Sequence, residues 1–201
     1  MEQFLPPMYR RNRAGGLIGK MNRMTSAERD RAVAYLKETK AAVLDSTSGL
    51  SDSQWRHRPS AEEWSIVDCV EHLAIVEGFL LRTLQGLAAA PPAPEDQLAL
   101  VAGKEEMIVK AVPLRGTKIK GPPRSMPKGG EPDEMLARFI EVRERLIVYA
   151  DTTLDPLRTR LFPHIVFGPL DGFQWLILLA AHSERHRRQL EEVKTSAGYP
   201  A

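Results

Sequence analysis

Apolar residues recur every three or four positions along four long stretches of this chain, and turn-forming residues bound each stretch. In the first, Val33, Leu36, Ala41 and Val43–Leu44 follow this spacing, and Thr25 stands three residues before Glu28, as in a capping box. A helix is predicted over about 26–48. The second runs from about Ser65 to Gln85, with Ile66, Val70, Leu73, Val76, Leu80 and Leu84 as its stripe and Ser65 and Asp68 at capping-box spacing. A third covers about 132–151, with Met135, Phe139, Val142, Leu146 and Tyr149 inward. The last begins near Asp171 and ends near Thr195. Between the second and third, GLAAAPPAPEDQ breaks the pattern, a shorter helix is predicted over 95–111, and VPLRGTKIKGPPRSMPKGGEP reads as a long surface loop. No segment alternates with period two, so no strands are expected. The pattern predicts an all-α four-helix bundle with one extra helix, or a long loop, in the middle crossover.

Charge changes this picture only locally. The formal net charge is +2 over 201 residues. Arg10, Arg11, Arg13, Lys20 and Arg23 oppose only Glu2 within residues 1–24, leaving 23 basic and 25 acidic residues elsewhere. The expectation is a basic, flexible arm over 1–24 and one bundle domain over 25–196. A mildly acidic body without interleaved aromatic and basic residues argues against nucleic acid as partner. The segment 115–128 has five basic residues and no acid. The single cysteine, Cys69, excludes an intrachain disulfide and suits a reducing compartment. No stretch approaches the roughly 18 uninterrupted apolar residues of a membrane span, and the start has no apolar run of signal-peptide length. A soluble, cytoplasmic protein is expected.

The candidate chemistry lies in histidines. His182 and His186 are four residues apart in LILLAAHSERHRRQLEEVK, so both leave the last helix on one side. They fall on its apolar stripe of Trp175, Leu178–Leu179, Gln189 and Val193, whereas Glu184, Arg187 and Arg188 point elsewhere. A zinc-protease motif requires HExxH, and Ser183 stands where its glutamate would be. What remains is HxxxH, which alone is either a metal pair or coincidence. His72 lies in WSIVDCVEHLAIVE on the stripe of Cys69, Ile75–Val76 and Phe79. Taken alone it reads as a core histidine bonded to a carbonyl. Taken with the pair, it completes a three-histidine centre with open coordination positions, as in catalytic metal sites. Cys69 either approaches that centre or simply packs. His57 is expected in an exposed polar loop, and His164 is a turn residue or lines a pocket mouth. Trp55, Trp64 and Trp175 read as core anchors or pocket walls. Glu71 neighbours His72 in the chain but is rotated from it by about 100° on a helix.

Three stretches together resemble the DinB-like (DinB/YfiT) superfamily. SDSQWRHRPSAEEWSIVDCVEHLAIVE is similar to its segment with a Trp–Ser pair, a His–Leu pair and a glutamate, here Trp64, Ser65, His72, Leu73 and Glu77. FPHIVFGPLDGFQWL resembles the lead into its final helix, and HSERHRRQL its histidine pair with Gln189. The resemblance spans about residues 26–195. It implies a bundle of up-down-down-up type and a divalent metal ion, nickel or zinc, held by His72, His182 and His186. It also implies a homodimer. For activity it implies a metal-dependent enzyme that activates a thiol or water, as a thiol S-transferase or a hydrolase, acting on a small molecule with a low-molecular-weight thiol as partner. The competing expectation is a non-catalytic dimeric helical protein with a structural or vestigial metal site. The catalytic residues beyond the ligands are unknown at this level.

Overall fold

A computed structural model describes residues 22–116 and 121–201. The four long helices form where the periodicity places them: α1 (Ser26–Thr47), α3 (Ile66–Leu87), α6 (Pro132–Thr152) and α7 (Gly172–Lys194). Between them lie the short helices α2 (Asp52–Arg56), α4 (Glu95–Ala99) and α5 (Lys104–Ala111), and a hairpin of β1 (Leu161–His164) and β2 (Gly168–Asp171). The arm expected over 1–24 lies outside the described residues except for its last three, of which Met24 is buried in the core.

Local chemistry sets the helix starts. Thr25 Oγ1 accepts from the Glu28 N–H at 3.2 Å while Glu28 accepts from the Thr25 N–H at 2.8 Å. Ser65 and Asp68 make the same reciprocal pair at α3, and Asp171 and Gln174 make it at α7. Each such cap contributes about 0.5–2 kcal/mol. Pro132 occupies the first turn of α6, where its missing N–H costs nothing.

Side-chain contacts give the helix directions. Arg158 pairs with Glu28 at the start of α1 and with Asp171 at the start of α7, so these two run parallel. Arg29 near the start of α1 donates to the carbonyls of Ala150 and Thr153 at the end of α6, at 2.7 Å each, so α1 and α6 are antiparallel. Early in α3, Glu71 holds the backbone just ahead of α6, which makes that pair parallel. His72 and Glu77 on α3 meet His182 and Ser183 on α7. Each long helix packs on two others, α1 and α3 on α6 and α7. The topology is therefore up-down-down-up, with the sequential helices α1 and α3 across the diagonal. A parallel α3–α6 pair needs a return path as long as the helix, about 33 Å for 22 residues. Residues 88–116 and 121–131 lie on that path, with α5 lying along α7 and Gln174 binding Glu105 at 3.0 Å.

The core is divided by a polar layer. One apolar cluster includes Leu36, Leu80, Leu84, Leu146, Phe173 and Leu176, and the other Val43, Ile66, Leu73, Phe139, Leu190 and Val193. Between them along the four helices come Thr39, Glu77, Arg143 and Ser183, all buried. The Arg143 guanidinium, with no exposure at all, clamps both oxygens of Glu77, one of them at 2.8 Å from Nε. It also donates to the Leu36 carbonyl and Thr39 Oγ1, both at 2.9 Å, and to Ser183 Oγ. Ser183 in turn donates to Glu77 at 3.0 Å. One guanidinium thus touches all four helices.

Three expectations need correction. The helix expected over 95–111 is broken into α4 and α5: α4 stops at Ala99 with Leu100 as its C-cap, and Gly103, at φ 77°, is the left-handed N-cap from which α5 starts. The turn-rich segment after α1 contains α2, capped by Ser51 and Gln54. Strands were not expected, yet β1 and β2 pair antiparallel with Pro163 opposite Pro169. Their burial does not alternate, and each four-residue strand carries a proline, so period two is invisible in the sequence. The hairpin is held by context: Trp175 Nε1 donates to the Phe162 carbonyl at 3.0 Å, and Lys104 Nζ to those of Phe167 and Pro169.

Replacing Arg143 strands a buried carboxylate. Arg143→Met is expected to lower the unfolding free energy by about 3–5 kcal/mol, read from urea denaturation. Adding Glu77→Leu should restore much of it, because the unpaired charge is then gone. A single variant as stable as the wild type would show that the layer does not hold the helices together.

Candidate metal centre

His72 comes from the second turn of α3, and His182 and His186 from successive turns of α7. Antiparallel packing of the two helices brings the three rings together, with centroids 5.2, 4.8 and 4.5 Å apart. Their nitrogens converge: His182 Nε2 lies 3.4 Å from His72 Nε2 and 3.1 Å from His186 Nε2. The three atoms lie within 4.8 Å of one another, a set that can hold a metal ion. His72 and His186 are buried and His182 half-buried.

Hydrogen bonds settle where two of the protons are. His72 Nδ1 sits 2.6 Å from the Ser125 carbonyl, which can only accept, so Nδ1 carries the hydrogen and Nε2 a bare lone pair. His186 Nδ1 lies 3.1 Å from Gln189 Oε1, which assigns its Nε2 in the same way. His182 Nδ1 is buried and has no partner among the described residues. His182 Nε2 faces both bare lone pairs: carrying the ring's proton it donates to one of them, and with that proton on Nδ1 instead the three lone pairs would converge on a common cation. Burial lowers the pKa of His72, partly offset by its bond to Ser125. Burial lowers His182 and His186 well below the ordinary value, with further lowering from neighbouring imidazoles and from Arg185. The three rings are therefore neutral at pH 7, the form that ligates.

The crossover loop and Trp64 enclose the centre. Trp64 directly precedes the Ser65 cap of α3. Its ring stacks on His186 at 5.9 Å and 19° and tilts against His72 at 4.9 Å. Ser125 lies in a 3₁₀ turn, Pro123–Ser125, within the basic loop. Beside it, Arg124 sits over the Phe79 ring at 4.7 Å. Glu71 Oε2 accepts from Gly129 N at 3.0 Å and Gly130 N at 3.1 Å, anchoring the far end of the loop. Arg115, at the near end, donates to Gln189 at 2.9 Å and grips Glu192 with three bonds. Lys118 and Lys120 lie outside the described residues.

The other sequence candidates go elsewhere. Cys69 is fully buried in the apolar cluster below His72, where burial pushes its thiol pKa up; it packs. His164 ends β1 and accepts from Val166 N and Phe167 N, as a turn residue does. His57 is half-buried, at 3.0 Å from Ser196 Oγ and edge-on to Tyr199, rather than exposed. Trp55 and Trp175 are core anchors, and Trp64 is a wall of the site. Glu184 points away from the site but is a partly buried partner of Arg187 and Arg188. Sequence reasoning missed the outer shell of Ser125, Arg115 and Glu71, and the placement of Ser183 against Arg143. The signal for Arg143 is an arginine inside an apolar stripe. A backbone carbonyl leaves no signal at all.

Fold and site together define an up-down-down-up helical bundle with a three-imidazole cluster open to ligation between α3 and α7. The pattern of the DinB superfamily matches residues 28–190, and the chain belongs to that superfamily. It is 27% identical over 164 residues to the uncharacterized protein YuaE of Bacillus subtilis (strain 168), covering 81% of this chain and 96% of that one. Among solved structures it is similar to YfiT from Bacillus subtilis, described as a probable metal-dependent hydrolase with an unusual four-helix bundle topology. The TM-score is 0.53 at 16% identity, over 88% of this chain and 91% of that one. At that identity the likeness concerns the fold. Among the described residues no helix is long and apolar enough to cross a membrane.

Titration of the metal-free protein with Zn²⁺ or Ni²⁺ is expected to reach saturation at one ion per chain. At a free ion concentration 100 times Kd the ion should stabilise the protein by about 2.7 kcal/mol, visible as a rise in the thermal midpoint. His182→Ala should abolish that rise. A rise that persists in the variant would place the ion elsewhere.

Proposed function

We propose that this protein is a divalent-metal-dependent enzyme in which a small thiol is the nucleophile, with hydrolysis by water as the competing chemistry. The observation that supports this most is the convergence of three Nε2 atoms, two with their lone pairs assigned by Nδ1–H donation. Three imidazole ligands from one side leave coordination positions for a reactant, unlike the closed four-ligand shell of a structural site. An ion held by His72, His182 and His186 would lower the pKa of a bound water toward 7 and would deprotonate a bound thiol.

The choice between thiol and water turns on the general base. A metal-assisted hydrolysis is helped by a carboxylate beside the reactant, and the nearby carboxylates are already engaged. Glu77 is clamped by Arg143, and Glu71 holds the loop backbone. A thiol with a pKa near 8.5 needs no such base once it reaches the ion. Arg115 is neutralised by Glu192, but Arg124, held over Phe79 next to Ser125, favours an anionic small molecule over a neutral one. Imidazole ligands suit zinc and nickel equally, so donor type leaves both open. The description of YfiT as a metal-dependent hydrolase supports metal chemistry on this fold and keeps water as the alternative nucleophile.

The deciding experiment supplies low-molecular-weight thiols together with an electrophilic acceptor, and separately an activated ester without thiol. Thiol consumption is expected to depend on the ion: lost on chelation, restored by Zn²⁺ or Ni²⁺, and absent in His72→Ala whatever is added. Ion-dependent ester cleavage without thiol transfer would replace the proposal with the hydrolase reading. Turnover that survives chelation would remove both.

A further inference from the structure

Gln189 presents an amide whose oxygen and nitrogen can exchange places by a half-turn, and its orientation decides the proton on His186. Arg115 decides that orientation. A guanidinium can only donate, and Arg115 Nη1 lies 2.9 Å from Gln189 Oε1. If the amide were turned, its NH₂ would face the guanidinium, donor against donor. The oxygen is therefore held toward Arg115, and the same oxygen lies 3.1 Å from His186 Nδ1. An obligate acceptor there requires Nδ1 to be the protonated nitrogen. Nε2 is left with its lone pair pointing at His182 Nε2, 3.1 Å away. Glu192 keeps Arg115 in place, accepting from Nε and Nη2 at 2.8–3.1 Å.

We infer that Arg115 is a positioning residue for the metal centre. Acting through Gln189, it sets the tautomer and aim of His186, and so ties metal affinity to the seating of the crossover loop. Ser125, ten residues further along that loop, acts in the same sense on His72 with a backbone carbonyl, which needs no orienting partner. Two of the three rings thus take their proton assignment from partners that include the loop between α5 and α6. Arg115 is 74 residues from Gln189 in the chain, so nothing local in α7 provides this.

The inference rests on the three imidazoles being a metal site, and its test separates the two. Zn²⁺ affinity of the full-length protein is measured by competition with a chromophoric chelator, with urea denaturation of each metal-free variant alongside. Arg115→Ala is expected to weaken Zn²⁺ binding by about 10–100-fold, the usual cost of losing an outer-shell partner. Gln189→Glu replaces the reversible amide with a carboxylate that can only accept, so Nδ1 protonation no longer needs Arg115. Adding Arg115→Ala to Gln189→Glu should then leave Zn²⁺ affinity at the value Gln189→Glu has alone. Equal losses in both backgrounds would mean that Arg115 merely braces the loop, and the inference would fall. An unchanged affinity in Arg115→Ala alone would overturn it as well. If the wild type binds no Zn²⁺, the underlying metal reading fails first and takes the inference with it.

Discussion

The buried ion pair of Arg143 and Glu77 is the interaction on which the rest of this structure depends. Apolar burial is non-directional, so hydrophobic stripes alone fix helix register less sharply than a buried ion pair does. A guanidinium that must reach Glu77, Thr39, the Leu36 carbonyl and Ser183 together does not tolerate sliding. A slip of one helical turn is about 5.4 Å, enough to strand a buried charge. It also exceeds the 4.8 Å within which the three histidine nitrogens lie. Ser183 follows His182 directly, and Glu77 lies little more than one turn beyond His72. The polar layer and the histidine cluster thus share one register between α3 and α7.

The topology has a second consequence. Placing α3 and α6 parallel obliges the chain to travel back along the bundle, and the return brings α5 beside α7 and Ser125 onto the histidine cluster. The Ser125 carbonyl and the Arg115 guanidinium are delivered to the cluster by that route. Glu71 closes the far end of the loop on two backbone N–H groups. The bond made by a histidine ligand's other nitrogen orients the ring; the connection supplies that bond for His72 directly and for His186 through Gln189, while His182 Nδ1 has none among the described residues. The bundle supplies nitrogens, and the crossover takes part in settling which of them are bare.

Membership of the DinB superfamily accounts for the bundle, and in this chain the crossover loop supplies partners to the site. Two of its basic residues are held by specific contacts. Arg115 is committed to Glu192 and Gln189, and Arg124 to the Phe79 face. The Arg115 charge is thereby balanced by Glu192 and that of Arg124 is held over an aromatic face, while the rings beside them stay neutral by burial.

Sequence alone determined the four long helices, because a 3.6-residue apolar period and reciprocal Thr25–Glu28, Ser65–Asp68 and Asp171–Gln174 caps act within a few residues of one another. It also put His72, His182 and His186 on inward faces, since the side a residue takes on a helix follows from spacing. The hairpin after α6 escaped it. Four-residue strands with Pro163 and Pro169 have no period of their own, and Trp175 and Lys104 hold them from elsewhere. The break at Gly103 was likewise invisible, since a glycine inside an apolar period costs a helix only about 1 kcal/mol and neighbours decide whether it bends. Tertiary structure alone decided that Arg143 is the hub of the core, that Ser183 serves it, and that Arg115 and Ser125 stand behind the histidines. Those partners lie 40 to 107 residues apart in the chain. Their meeting depends on helix direction and on a backbone carbonyl's aim, neither of which a side-chain alphabet encodes.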